Sequence, residues 1–196
     1  MNRKYIKEII KSNEENKLAI FIGSGISKCI EHTEKMPPNW NELMEKINEY
    51  IGNSEEKDYL NIAEFFYLKC QKEGNINNYY EKIYEWVGSD IKPSQVHKKI
   101  FEINPSIIIT TNWDNVLEET IKENGLIYEV IRSDEELINT KLNKKVIKMH
   151  GDFKNNNIVF REDDYINYKN KFPLIENYIK SILSTHTILF LGYSYN

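Results

Sequence analysis

Leu18-Ala19-Ile20-Phe21-Ile22-Gly23-Ser24-Gly25-Ile26-Ser27 is a continuous apolar run that empties into a glycine turn. A run without polar alternation reads as a strand buried on both faces, the situation of strands in parallel sheets. Gly-x-Gly directly after it lets the backbone turn sharply. The same pattern recurs downstream. The β-branched run Ser106–Thr110 ends in Thr111-Asn112-Trp113-Asp114-Asn115, and a helix with Val116, Leu117, Thr120 and Ile121 inside follows. Further strands are predicted at Ile127–Ile131, Val146–Met149 and Ile188–Leu191, with a shorter one at Ile158–Phe160. Strands that alternate with helices imply an α/β fold with a parallel sheet, and such sheets take ligands at the carboxyl ends of their strands.

The helices complete this frame. Arg3–Asn16 reads as an opening helix with Tyr5, Ile6, Ile9 and Ile10 on one face. After a polar stretch, Glu31–Asn39, with Pro37 and Pro38, Asn39 is placed to cap a helix carrying Trp40, Leu43, Met44, Ile47 and Ile51. A second helix from about Glu56 turns Tyr59, Leu60, Ala63, Phe66, Tyr67 and Cys70 inward, and a third spans about Ile76–Val87. Residues 31–90 thus form an all-helical insertion. Pro93 and Pro173 mark the first turns of two later helices. The predicted fold is a Rossmann-like, doubly wound parallel sheet with a helical insertion.

Composition removes several function classes. The chain has 196 residues, room for one large domain with a core of its own. Its longest apolar runs fall far short of the ~20 residues of a membrane span, and the polar opening at Met1-Asn2-Arg3-Lys4 is no export signal. A cytoplasmic location follows as the expectation. Net charge is −4, and lysine outnumbers arginine 23 to 3. Nucleic-acid readers carry basic stripes and favour Arg for bidentate contacts, so nucleic acid is disfavoured as a ligand. Two cysteines, Cys29 and Cys70, exclude a disulfide framework and any four-cysteine zinc site made by this chain alone. Cys70 reads as a small buried hydrophobe and Cys29 as unreactive. His97 and His186 read as ordinary helix and loop histidines, with His32 in the polar stretch, so no metal constellation emerges.

Four polar, glycine-bearing clusters fall at the strand ends: Gly23-Ser24-Gly25-Ile26-Ser27, Thr111-Asn112-Trp113-Asp114, His150-Gly151-Asp152 and Gly192-Tyr193-Ser194. Each has a plain structural reading. Gly-x-Gly without a third glycine (Lys28 stands there) fits a tight turn as well as a phosphate cradle. Asn112 and Asp114 fit a helix cap and a first-turn acid. A lone His150 fits a hydrogen-bonded strand end. The functional reading gains from convergence, because a doubly wound sheet gathers all four clusters at one edge.

In order and context, these motifs resemble those of the sirtuins: the glycine-alanine-glycine loop, the Thr-x-Asn-x-Asp motif at Thr110–Asp114, the catalytic His-Gly and the Gly-x-Ser adenosine loop. Two departures separate the chain from the deacylase branch. Pro38-Asn39-Trp40-Asn41-Glu42-Leu43 stands where Pro-Asp-Phe-Arg is expected, and the helical insertion replaces the zinc module. With Lys148-Met149-His150-Gly151-Asp152 and Asp163-Asp164-Tyr165, the pattern is similar to sirtuin-like domains of bacterial anti-phage defence, of the Thoeris effector and defence-associated sirtuin type.

The resemblance implies an NAD hydrolase that cleaves the nicotinamide–ribose bond and depletes NAD during infection. It implies catalytic roles for Asn112, His150 and Asp114, and NAD binding by Gly23, Ser24, Gly25, Ser27, Thr111, Gly192 and Ser194. NAD enters as substrate, and no metal is called for. A homo-oligomer and a further C-terminal sensing domain or partner subunit are implied as well. Residues 1–196 read as a single sirtuin-like domain whose relatives continue beyond Gly192–Ser194, so the end of the domain is expected to be missing. The rival readings are an NAD- or ADP-ribose-binding regulatory domain without turnover and, last, a protein deacylase or ADP-ribosyltransferase.

Overall fold

The computed structural model describes residues 3–29, 38–87 and 92–193. In chain order, α1 (Arg3–Glu14) leads to β1 (Leu18–Ile22) and the single turn α2 (Ser24–Ser27). Three helices follow, α3 (Trp40–Ile51), α4 (Tyr59–Lys72) and α5 (Ile76–Val87), and then α6 (Gln95–Glu102). The chain continues through β2 (Ile107–Thr110), α7 (Val116–Glu123), β3 (Glu129–Ile131), α8 (Asp134–Asn139) and β4 (Lys145–Lys148). It closes with α9 (Glu162–Ile166), α10 (Tyr168–Lys171), α11 (Pro173–Thr185) and β5 (Thr187–Leu191).

The five strands form one sheet in the order β3-β4-β2-β1-β5, every pairing parallel. This is the predicted doubly wound α/β arrangement. β1 is an inner strand, with Ile20 opposite Ile108 on one side and Leu189 on the other. The strand order therefore reverses beside β1, the topological switch point where such folds take ligands.

Alternate residues of each strand feed two cores, as period-2 geometry requires. Ile20, Ile22, Ile108 and Val146 pack with Ile100 and Phe101 of α6 and Val116 and Leu117 of α7. Ala19, Ile107, Ile109 and Ile147 pack with Ile175, Ile179 and Ile182 of α11. A third core belongs to the helical insertion: Leu43, Met44 and Ile47 meet Ile62, Phe66 and Cys70, and Tyr79 and Ile83 close it. The cap at Asn39 is present as a full capping box with Glu42.

Three sequence expectations change. Ile158–Phe160 is no strand; it runs as an irregular, fully buried segment. Ile158 and Phe160 enter the core of the insertion while Val159 enters the sheet core, so side chains on both sides engage without a ladder partner. β3 is shortened to Glu129–Ile131, since Ile127 lies in solvent. The apolar face expected for the opening helix is also turned outward: Tyr5 is 56% exposed and Ile10 52%. α1 is held by polar contacts instead, Ser12 Oγ donating to Lys17 O at 2.7 Å and Asn13 Nδ2 to Ile103 O at 2.7 Å.

Candidate active site

The glycine loop leaves the carboxyl end of β1 and abuts the turn after β5. Gly23 N–H donates to Leu191 O at 2.9 Å and Gly25 N–H to Gly192 O at 3.0 Å. A Cβ on Gly23 would stand 2.7 Å from Gly192 O, and one on Gly25 would stand 2.8 Å from it. Gly192 itself adopts φ +72°, and its Cβ would meet Ile26 N at 2.7 Å. The three glycines are thus needed for backbone-to-backbone packing of two site loops. The N–H groups of Gly23 and Gly25 are engaged inside the protein, while Ser24 has an exposed side chain.

A cavity of about 580 Å³ opens over this loop. Ser24, Ser27, Thr111, Asn112, Asp114 and His150 all line it, so the structure brings six of the residues singled out in the sequence to one wall system. Gly23, Gly25 and Gly192 lie beneath it, and Ser194 falls outside the described residues. Trp40, Leu43, Val87, Trp113, Tyr165 and Tyr193 add an aromatic and apolar part to the lining. Of these, Tyr193 lies inside a motif that was recognised, but its role was not: its ring sits against Gly23, and its hydroxyl is 3.2 Å from Thr111 Oγ1. Tyr165 had a weaker signal, its place beside Asp163-Asp164. Trp40 stood in the segment that departs from the deacylase pattern.

The polar wall is wired in a fixed sense. Asn112 Nδ2 lies 3.1 Å from Gly23 O and 2.8 Å from Ser27 Oγ. A carbonyl oxygen only accepts, so the amide nitrogen must face it, which settles the orientation of the side chain. Ser27 Oγ in turn donates to Asp114 Oδ2 at 2.5 Å, and Asp114 Oδ1 accepts from Val116 N–H at 3.2 Å. Asn112 therefore has Oδ1 as the group it can offer to the cavity. Asp114 is engaged through both oxygens, as the first-turn acid of α7 and as the anchor of Ser27.

His150 follows β4. Its ring meets Tyr165 edge to face at 5.6 Å and lies 6.5 Å from the ring of Tyr168. Burial pushes its pKa down to about 4, so the imidazole is neutral near pH 7. Gly151 beside it has φ +66°, and a Cβ there would stand 2.3 Å from Asn157 O. His97, read as an ordinary helix histidine, is in fact wholly buried. Its Nδ1 accepts the Ser94 N–H at 3.0 Å in the capping box of α6. Ser94 Oγ donates to Cys29 O, which ties α6 to the end of the glycine loop. Burial lowers the pKa of His97, and the charge of Asp114 opposes that shift. Cys70 is buried and its thiol is pushed up by burial, in keeping with a packing role.

Among the described residues there is no group of three or more His, Cys, Asp or Glu side chains placed to hold a metal ion. No helix among them is long and apolar enough to cross a membrane.

The SIR2-like domain family matches residues 106–196, which carry β2 to β5 and the Asn112 and His150 motifs. Over that stretch the chain is similar to SIR2-like domains. Over 96% of its length it is 34% identical to "Defense-associated sirtuin 2" of Bacillus subtilis, covering 19% of that protein. It is 28% identical to "NAD(+) hydrolase ThsA" of Acinetobacter baumannii, with 97% of this chain and 39% of that protein aligned. The ThsA of Bacillus cereus is also 28% identical, with 97% and 40% aligned. The chain thus spans from about a fifth to two fifths of the length of these relatives.

Proposed function

We propose that this sirtuin-like chain binds NAD and hydrolyses its nicotinamide–ribose bond to nicotinamide and ADP-ribose, as the NAD-consuming part of an anti-phage effector. The observation that carries the reading is the shared cavity, in which an oriented Asn112 and a neutral His150 face the same space. The names of the relatives, a defence-associated sirtuin and NAD hydrolases, support the same choice. The domain is taken as residues 1–196 with the helical insertion at about 31–90, working in the cytoplasm as a homo-oligomer with a further sensing domain or partner subunit.

Cleavage of the bond passes through an oxocarbenium-like state, and nicotinamide leaves without needing a strong acid. The protein has to position water and ribose. Asn112 Oδ1 accepts a hydrogen bond from the attacking water or a ribose hydroxyl. His150, being neutral, takes up a proton as general base. Ser24 is the loop residue placed toward the pyrophosphate, with Ser27 and Asp114 acting through Asn112. The aromatic part of the lining, with Trp40 and Trp113, suits the flat cationic nicotinamide ring. Thr111 and Tyr193 flank the glycine loop on the side assigned to adenosine, together with Gly192, and Ser194 keeps its sequence-based assignment to that half of NAD.

The test is incubation of the purified protein with NAD while nicotinamide and ADP-ribose are followed. Hydrolysis without an acyl-lysine acceptor is the expected result. His150→Ala and Asn112→Ala are each expected to remove ~10²-fold or more of the turnover with the fold intact. Binding without turnover in the wild type would instead support a regulatory NAD-binding domain, and turnover only with an acylated peptide a deacylase.

A further inference from the structure

The Asn112 loop and the His150 loop leave different strands, yet one buried cation touches both. Lys148, the last residue of β4, has a side chain only 1% exposed. Its Nζ donates to the main-chain oxygens of Trp113 at 3.2 Å and Asp114 at 2.7 Å, immediately after Asn112. It also lies 3.0 Å from Glu118 Oε1 on α7 and 3.5 Å from Asp152 Oδ2. His150 stands midway between Lys148 and Asp152 in sequence.

Arg132, at the end of β3, completes the group: Nε donates to Asp152 Oδ2 at 2.5 Å and Nη2 to Glu118 Oε1 at 3.2 Å. Glu136 Oε1 also lies 3.8 Å from Arg132 Nη1, so two cations are gathered with three carboxylates, and Lys148 is the most deeply buried member. Asp152 carries the constraint into the turn after His150, since its Oδ1 accepts from Lys154 N–H at 3.0 Å. An ammonium this deeply buried is costly, and an apolar side chain of similar volume would fill the space without that cost. What an apolar side chain would not supply is the pair of bonds to the Trp113 and Asp114 carbonyls.

We propose that Lys148 is a positioning residue for the NAD site, clamping the Asn112 loop and the His150 loop into one register. The proposal rests on the reading that these loops turn over NAD. Misplacement of a catalytic group by about 1 Å can cost 10²-fold in rate, and no other described residue both hydrogen-bonds to the main chain after Asn112 and forms an ion pair with the carboxylate after His150.

Two variants separate positioning from charge balance. Lys148→Met leaves Glu118, Glu136 and Asp152 facing one guanidinium, whereas Lys148→Met with Glu118→Gln returns the wild-type charge balance without restoring the carbonyl bonds. Both are expected to lower kcat by ~10–100-fold while KM for NAD stays within about threefold. In the double variant, amide exchange at Asn112 and at Asp152 should rise together, and thermal unfolding should remain cooperative. Recovery of wild-type kcat by the double variant would overturn the proposal, because the lysine would then serve charge balance alone. A wild-type protein that fails to hydrolyse NAD would sink the functional reading but not the exchange measurement. There, a joint rise at both loops supports the clamp, and an unchanged rate at either loop overturns it.

Discussion

The Ser27 hydroxyl donates to Asp114 at 2.5 Å, joining the glycine loop to the turn after β2 across 87 positions of sequence. The same hydroxyl oxygen accepts from Asn112. A serine expected at a phosphate is thus the link that holds the orientation of an amide. Ser27→Ala should cut NAD turnover by ~10-fold or more, with a smaller effect on NAD binding measured by calorimetry. A Ser27→Ala variant with unchanged kcat and weakened NAD binding would restore the phosphate role.

His150 is held neutral in the folded protein down to about pH 4, while an unfolded histidine protonates near 6.5. The sign follows directly: its contribution to stability is complete above pH ~6.5 and drains away as pH falls towards 4. The acid limb of kcat/KM should accordingly lie near pH 4. A limb near 6.5 in the wild-type profile would show that His150 titrates as an exposed imidazole.

Gly151 is expected to tolerate no side chain. The left-handed backbone alone costs alanine about 1–2 kcal/mol, and the Asn157 carbonyl occupies the space its Cβ would need. Gly151→Ala should lower the midpoint of thermal unfolding by at least a few degrees. It should depress turnover further by shifting His150. By contrast, nothing lies within 4 Å of a Cβ at Gly74, also at positive φ, so Gly74→Ala should show the strain without loss of activity.

Arg161 fastens the start of α9 to the helical insertion. Its guanidinium bonds Asp164 at 2.9 Å and Glu64 at 3.3 Å, and it stacks 3.7 Å above the ring of Tyr67. Burial works against the charge of Asp164, but Arg161 and Lys171 prevail and hold its carboxyl below the usual range. Arg161→Ala leaves that carboxylate buried with a weakened set of partners and should cost about 3 kcal/mol in chemical denaturation. The stability Asp164 contributes is present above pH ~4 and is lost below it, so the variant should also unfold at a higher pH on acidification.

The sheet was legible because its inner strands β1, β2 and β4 are buried on both faces. Runs such as Leu18–Ile22 and Ser106–Thr110 have no other economical reading, and their glycine-bearing ends mark the carboxyl edge. Asn112 and His150 were legible as motif residues, and the structure adds which atom of Asn112 faces the cavity. The segment Ile158–Phe160 misled, since an apolar triplet looks alike in a strand and in a buried irregular stretch. The outward face of α1 misled for a related reason: periodicity marks an apolar stripe but not what covers it. Lys148, quoted only as part of a motif, and His97, read as an ordinary helix histidine, gave no sign of these contacts. Their importance comes from burial beside main-chain oxygens and a helix cap, which side-chain identity does not encode.

The Ile158–Phe160 tripeptide has a thermodynamic consequence for the helical insertion. Its alternate side chains are shared between two cores, with Val159 N–H bonded to His150 O at 2.9 Å. Melting the insertion by itself would strip Ile158 and Phe160 of their neighbours and tug on the main chain of His150. Loosening of the insertion and loss of the catalytic geometry are therefore linked events, and an agent that grips the helices has a direct mechanical line to the imidazole.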